Sequence, residues 1–279
     1  MSDARDEILD RWDGVAGGWK ATRAAFQRTA QPVSDRMVEA IDPHPGQRVL
    51  ELAAGLGDTG LMAAERVRPG GSVIITDGAN GMVQAAGEHV AEVGADNVEV
   101  RQMQAEWIDL PTASVDAVLC RFGYMLLVDP EAALRETRRV LKPGGRVAFA
   151  VWDAPERNPW AGVIRSAMQD LGLMEAPPPG QPGQFALSSA PELEAILDAT
   201  GFDDPEIWPV DLTFEAASLD DWWQTSLQTA PNLAPAVGEL SPAEHYKLRD
   251  AFDAGYADYV TDDGSIRLPG RALVARASA

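Results

Sequence analysis

Short apolar runs alternate with segments of helical spacing through the middle of the chain. Val49, Leu50 and Leu52 make one such run, and Val73-Ile-Ile-Thr-Asp77 makes a second that ends in an acid. Runs this short, rich in branched residues and bounded by turn residues, predict buried strands. A third strand is predicted at Asn97–Arg101 and a fourth at Ser114–Gly123, running into a loop. Pro130–Leu141 spaces its apolar residues as an amphipathic helix. Leu141–Trp152 combines a helix stop, a glycine turn and a fifth strand. Strand alternating with helix predicts parallel strands joined by crossover helices. Before this block, Ile8–Ile41 has helical spacing and carries Trp12, Trp19 and Phe26. After it, helices are predicted at Trp160–Leu171, at Pro191–Thr200 and over most of Leu219–Tyr259, with strands at Pro205–Phe214 and Ala272–Ala277. Pro155–Gly183 is rich in Pro and Gly and reads as a surface loop around the short helix.

The first two strands are joined by Ala53-Ala-Gly-Leu-Gly-Asp-Thr-Gly60. Gly55, Gly57 and Gly60 let the backbone turn tightly and come close to a ligand. Asp58 or Thr59 can begin the next helix, whose unpaired N–H groups suit an anion. Gly55-x-Gly57-x-x-Gly60 also matches the dinucleotide fingerprint. Glu51 is an acid at the end of the first strand, ahead of the glycines. Asp77, 22 positions after Gly55, can accept hydrogen bonds from both hydroxyls of a ribose. Nicotinamide and adenosyl cofactors both need that contact, so these residues alone leave the choice open.

The downstream order narrows it. Gln104-Ala-Glu-Trp-Ile-Asp-Leu-Pro111 follows the third strand, Cys120-Arg-Phe-Gly123 ends the fourth, and Lys142-Pro-Gly-Gly145 precedes the fifth. This succession, dense from Arg48 to Trp152, resembles the class I S-adenosylmethionine-dependent methyltransferases. It is most similar to the small-molecule branch that includes the ubiquinone/menaquinone-biosynthesis type. The resemblance implies a Rossmann-like α/β three-layer sandwich, with a seven-stranded, mostly parallel sheet whose last strand is antiparallel. It also implies S-adenosyl-L-methionine as cofactor and methyl transfer to an oxygen, nitrogen or carbon of a small molecule.

The family's roles carry over by position. Glu51 opens the cofactor motif, and Ala53, Gly55 and Gly57 lie under the methionine portion. Asp77 and the adjoining Gly78 meet the ribose, and Met82 packs on adenine. Gln104, Ala105 and Glu106 occupy the adenine edge. Cys120, Arg121 and Phe122 reach toward the cofactor and the methyl group. Trp19 belongs to the expected cover of the site. Three positions depart from the family pattern. Ala53 replaces a glycine, which implies negative φ at that position. Gly78 replaces a branched apolar residue. Gln104 replaces an aspartate and can accept from the adenine amine only without charge assistance.

The resemblance divides the 279 residues into a helical cover of the cofactor site over 1–45 and a methyltransferase domain over 46–279, with substrate-side insertions at about 156–188 and 215–268. The formal net charge is −20, and only Lys20, Lys142 and Lys247 are lysines, which argues against a nucleic-acid partner. No apolar run is long enough for a membrane span, and the N-terminus lacks the pattern of a secretory signal, so a cytoplasmic location is expected. One cysteine excludes an internal disulfide. His44, His89 and His245 lack metal-ligand spacing, and no metal is expected. His44 is placed in a loop away from the site and His89 on an exposed helix face. His245 is the one histidine on the substrate side. No catalytic residue is nominated. Trp19, Phe122 and Trp152 are the preferred aromatic members of the pocket, with Trp12, Tyr124, Trp160, Trp222 and Trp223 nearby. A nicotinamide-dependent oxidoreductase and a non-enzymatic S-adenosylmethionine-binding regulator are the alternatives. The expected partner is a small-molecule acceptor, on a monomer or a homodimer.

Overall fold

The computed structural model describes residues 2–174, 181–230 and 233–279. Residues 175–180 of the predicted surface loop lie outside the described residues. The seven strands are β1 (Arg48–Glu51), β2 (Ser72–Asp77), β3 (Val98–Gln102), β4 (Val115–Arg121), β5 (Leu141–Trp152), β6 (Asp203–Ala216) and β7 (Ile266–Ser278). They form one sheet in the order β3-β2-β1-β4-β5-β7-β6. Pairing from β3 to β5 is parallel, and β7 runs antiparallel to both β5 and β6. The predicted α/β class and the antiparallel last strand are both found. Strand order reverses between β1 and β4, which leaves a crevice at the carboxyl ends of those strands.

The α-helices are α1 (Ser2–Ile41), α2 (Asp58–Arg66), α3 (Asn80–Val93), α4 (Pro130–Val140), α5 (Pro159–Asp170), α6 (Ala190–Ala199), α7 (Leu219–Thr229), α8 (Leu233–Gly238) and α9 (Pro242–Tyr256). Local chemistry sets several of their ends. The Asp129 carboxylate accepts from the Ala132 N–H at 2.8 Å, Pro130 opens α4, and Arg138 and Arg139 face its negative C-terminus. Ser241 and Glu244 form a capping box on α9. The helices pack on both sides of a sheet whose strands are apolar on both faces: Val49, Leu50, Val118, Leu119 and Phe149 are fully buried.

Helix α1 changes environment along its length. Its second half sinks Ala30, Val33, Met37, Val38 and Ile41 into the main core. Its first half belongs to a separate small cluster, in which Trp12, Val15 and Trp19 pack on Ala16, Ala79 and Met82. The segment 1–45 thus contributes to the central core as well as to the strand ends. Two glycines make room for the first half. A Cβ on Gly78 would stand 2.7 Å from Leu9 Cδ2, and one on Gly81 would stand 3.0 Å from Ala16 Cβ.

Candidate active site

One cavity spans the carboxyl ends of β1, β2 and β4 beneath the first half of α1. At one end, Asp77 is held by two backbone donors. The Gly55 N–H donates to Oδ2 and the Ala79 N–H to Oδ1, each at 2.9 Å. Burial pushes the Asp77 carboxyl up to about 6, against the pull of the N–H groups of Ala79, Gly55 and Gly78. The carboxylate is therefore fixed in direction and short of charge compensation, which suits further hydroxyl donors. Beside it, Gln104, Ala105 and Glu106 line the wall, and Glu106 is paired with Arg5 of α1 at 3.2 Å. Met82, Met103 and Leu9 form apolar wall there. Leu9 fills the space that a side chain at position 78 would take, so the missing branched residue at Gly78 is replaced by one from α1.

The glycine turn forms the floor. Ala53, Gly55 and Leu56 face the cavity. Ala53 has φ 47°, which corrects the expectation of negative φ. The left-handed conformation costs an alanine about 1–2 kcal/mol, and the turn's bonds sustain it: the Ala54 N–H donates to Thr76 O at 2.9 Å, and the Gly57 N–H to Ala54 O at 3.0 Å. Gly57 has φ 77° and serves packing, because a Cβ there would lie 2.9 Å from Ile75 Cδ1.

At the other end stand Trp19, Phe26, Arg121 and Phe122, followed by Leu126 and Leu127. Phe122 has φ 62°, an unusual state for a bulky side chain. Its ring stacks on Trp152 at 3.9 Å between centroids and meets Phe26 edge-on at 6.4 Å. Phe26 in turn meets Trp19 at 4.7 Å. Arg121 donates from Nη1 to Gln27 Oε1 at 2.8 Å and to Ser34 Oγ at 2.7 Å. Burial lowers its pKa, and the carboxylates of Asp58 and Glu51 oppose that shift. Arg23 holds Asp58 through two bonds of 2.9 and 2.7 Å.

The cavity brings together eleven of the fourteen residues proposed from the sequence: Trp19, Ala53, Gly55, Asp77, Gly78, Met82, the Gln104–Glu106 segment, Arg121 and Phe122. Glu51, Gly57 and Cys120 lie behind its wall. Glu51 is 1% exposed and accepts from the Gly60 N–H at 2.9 Å. Burial drives its carboxyl up to about 8, with Arg121 pulling the other way. Cys120 is enclosed, and burial pushes its thiol up to about 12. Trp152 backs Phe122 rather than facing the cavity, and Tyr124 and Trp223 belong to the core. His89, expected on an exposed face, is buried, with Nδ1 2.9 Å from Leu56 O, because α3 packs against the glycine turn. His245 packs edge-on against Trp223 at 6.0 Å and does not line the cavity. Residues on the wall that were not singled out include Arg5, Leu9 and Arg23, while Phe26 was named only as part of the covering helix. For Arg5 and Phe26 a signal was present: Arg5, Trp12, Trp19 and Phe26 recur every seven residues, which keeps them near one helix face.

A family model described as a methyltransferase domain matches residues 49–145. Nocamycin O-methyltransferase of Saccharothrix syringae is 33% identical over 197 residues, covering 70% of this chain and 66% of that protein. Arsenite methyltransferase of Halobacterium salinarum is 33% identical over 178 residues, covering 64% and 42%. The ubiquinone/menaquinone biosynthesis C-methyltransferase of Hahella chejuensis is 36% identical over 111 residues, covering 39% and 45%. The matched stretches thus span between 42% and 66% of these relatives' lengths. Among solved structures, the YcgJ protein of Bacillus subtilis superposes with a TM-score of 0.59 at 21% identity, covering 88% of this chain and 97% of that one. The [4+2]-cyclase SpnF superposes with a TM-score of 0.56, also at 21% identity, covering 91% and 83%. The first is a likeness of fold, and the second shows that this architecture carries more than one chemistry. Residues 49–145 thus carry a methyltransferase domain of the class I S-adenosylmethionine-dependent type.

Proposed function

We propose that the protein transfers a methyl group from S-adenosylmethionine to an oxygen, nitrogen or carbon of a small molecule. The observation that carries this reading is Asp77. Its two oxygens are already oriented by Gly55 and Ala79, and they stand at the end of the cavity where Met82, Met103 and Leu9 offer apolar faces. A carboxylate for two ribose hydroxyls beside an apolar slot fits an adenosine, and Gln104 supplies an amide at the slot's edge. The glycine turn next to it, free of side chains at Gly55, suits the amino-acid portion. When bound, the cofactor supplies an electrophilic methyl group on a sulfonium that is already a good leaving group. The chain's own work is then to orient the reactants, bring them to about 3–3.5 Å and exclude water. The first half of α1 covers the cavity and shields it from solvent.

The relatives are named for O-, C- and arsenite methylation, so they leave the acceptor atom open. The net charge of −20 favours a small acceptor over nucleic acid. Among the described residues no helix is long and apolar enough to cross a membrane, and no cluster of three or more His, Cys, Asp or Glu could hold a metal. Calorimetric titration tests the proposal. S-adenosylmethionine and S-adenosylhomocysteine should bind, and NADH should bind far more weakly. Tight NADH binding without response to the adenosyl compounds would favour an oxidoreductase instead.

A further inference from the structure

The far end of the cavity has a chemistry that selects its occupant. Among the described residues that line the cavity there is no His, Lys, Cys, Ser, Thr or Tyr. The only acids are Asp58, Asp77 and Glu106, and each is engaged. Asp58 is held by Arg23, Asp77 by two backbone N–H groups, and Glu106 by Arg5. Glu51, His89 and His245 all lie off the wall. No side chain is therefore free to take a proton from a neutral alcohol or amine. The same end carries a cation. Arg121 spends Nη1 on Gln27 and Ser34, and among the described residues neither Nε nor Nη2 has a hydrogen-bond partner. Its guanidinium lies 5.5 Å from the centre of the Phe26 ring, and its chain neighbour Phe122 is the stacked, left-handed residue. Arg121 thus belongs to the aromatic end of the cavity, whereas Arg23 serves the glycine turn through Asp58.

Resting on the methyl-transfer reading, we propose that the acceptor is a planar organic anion, a carboxylate or an acidic phenolate or enolate on a conjugated ring, with its charge at Arg121 and its ring against Phe122 and Phe26. An anion needs no base. Its lone pair forms the bond to the methyl carbon, the pair of the broken carbon–sulfur bond stays on sulfur, and no proton moves. The methylated product is neutral and loses its attraction to Arg121, which favours release. The aromatic wall explains the ring. Phe122 is rigid because Trp152 backs it, and a flat conjugated acceptor can stack where a puckered one cannot.

The test uses 2-naphthoate as probe, with 2-naphthamide as its neutral match and decahydro-2-naphthoate as its puckered match. Binding is measured by calorimetry on the full chain saturated with S-adenosylhomocysteine. Naphthoate should bind at least about tenfold tighter than the amide, the size of one charge-assisted hydrogen bond. It should also bind more tightly than the puckered acid. Arg121→Met, measured under saturating S-adenosylhomocysteine, should erase the preference for the anion over the amide. Should that variant fail to fold, Arg121→Lys should keep the preference in weakened form, and Phe122→Leu should erase the preference for the flat ring alone. Equal binding of acid and amide, no naphthoate binding, or an unchanged preference for the acid in Arg121→Met overturns the proposal. Failure of S-adenosylhomocysteine itself to bind the unaltered protein sinks the methyl-transfer reading instead.

Discussion

The floor of the cavity and its cover are built in different ways. The floor is backbone: strand ends, the glycine turn, and N–H groups aimed at Asp77, all within Arg48–Phe122 and braced by the buried sheet. The cover is the first half of α1, attached through side chains to distant partners. Arg5 reaches Glu106, Asp13 accepts from the Gly81 N–H at 2.6 Å, Lys20 pairs with Glu88, and Trp19 Nε1 donates to Thr229 O at 3.1 Å. Within the cover, Gly14 and Gly17 face open space, so a Cβ at either would touch nothing beyond the helix itself. Glycine inside a helix costs about 0.8–1 kcal/mol relative to alanine. The floor is held by many short bonds within one core, and the cover by a few polar clasps and one small apolar cluster on a weakened helix. Opening the cover should therefore cost much less than disturbing the floor.

The largest expected effect comes from removing the cover altogether. A chain lacking residues 1–24 should keep the circular dichroism of the folded protein, because the contribution of α1 to the main core begins at Phe26. It should show little or no methyl transfer once an acceptor is in hand. Full activity would mean that the segment is no cover, and global unfolding would place it in the core.

The floor is next. Asp77→Ala should weaken S-adenosylhomocysteine binding by about 1.5–3 kcal/mol, the value of hydrogen bonds to a charged group, with folding preserved. Acidity should act through the same group. The Asp77 carboxyl is pushed up to about 6, so the ionised form that receives the hydroxyls is lost as the pH falls through that value, and calorimetric affinity should fall with it. Stability without ligand should run the other way. A carboxyl whose folded value is raised favours the folded state most below its unfolded value of 3.8, and that contribution is lost as the pH rises through about 6. Glu51 should extend the decline to about pH 8, and urea titrations across this range should record it. An affinity that does not change between pH 5 and 7 would remove Asp77 from the binding site.

Smaller effects sharpen the contrast. Gln104→Ala should cost on the order of 1 kcal/mol of cofactor binding, as for one neutral hydrogen bond. If it proved more damaging than Asp77→Ala, the assignment of adenosine to this end would be reversed. Gly17→Ala should stabilise the cover helix by about 0.5–1 kcal/mol, seen as a small rise in melting temperature. A fall would show that this glycine has a role that its open surroundings do not reveal.

The floor was the legible part. Val49–Leu52, Val73–Asp77 and the intervening glycines place the acid and the turn together because adjacent parallel strands put their carboxyl ends side by side. Residue order alone therefore brings Asp77 to Gly55. The final strand and its direction also came through, by family resemblance. Less was legible where several conformations satisfy the same residue. Alanine favours negative φ as a residue, yet Ala53 is held at φ 47° by bonds to neighbouring strands. His89 sits at a position whose pattern reads as exposed, yet α3 turns it onto the carbonyl of Leu56.

By itself the sequence determined the strands, the helices, the glycine turn and the acid at the end of β2, because period, capping and chain order are local quantities. Tertiary structure alone decided which side chains close the cavity. Leu9 and Arg23 join it because a single helix crosses from the core to the strand ends. Glu51 and Cys120 leave it because the strand's alternation turns their side chains into the interior. Among the described residues, Arg121 engages Gln27 and Ser34, 94 and 87 positions away, through Nη1 alone. Such long-range pairings depend on how packed elements meet, and no local pattern of residues encodes that angle.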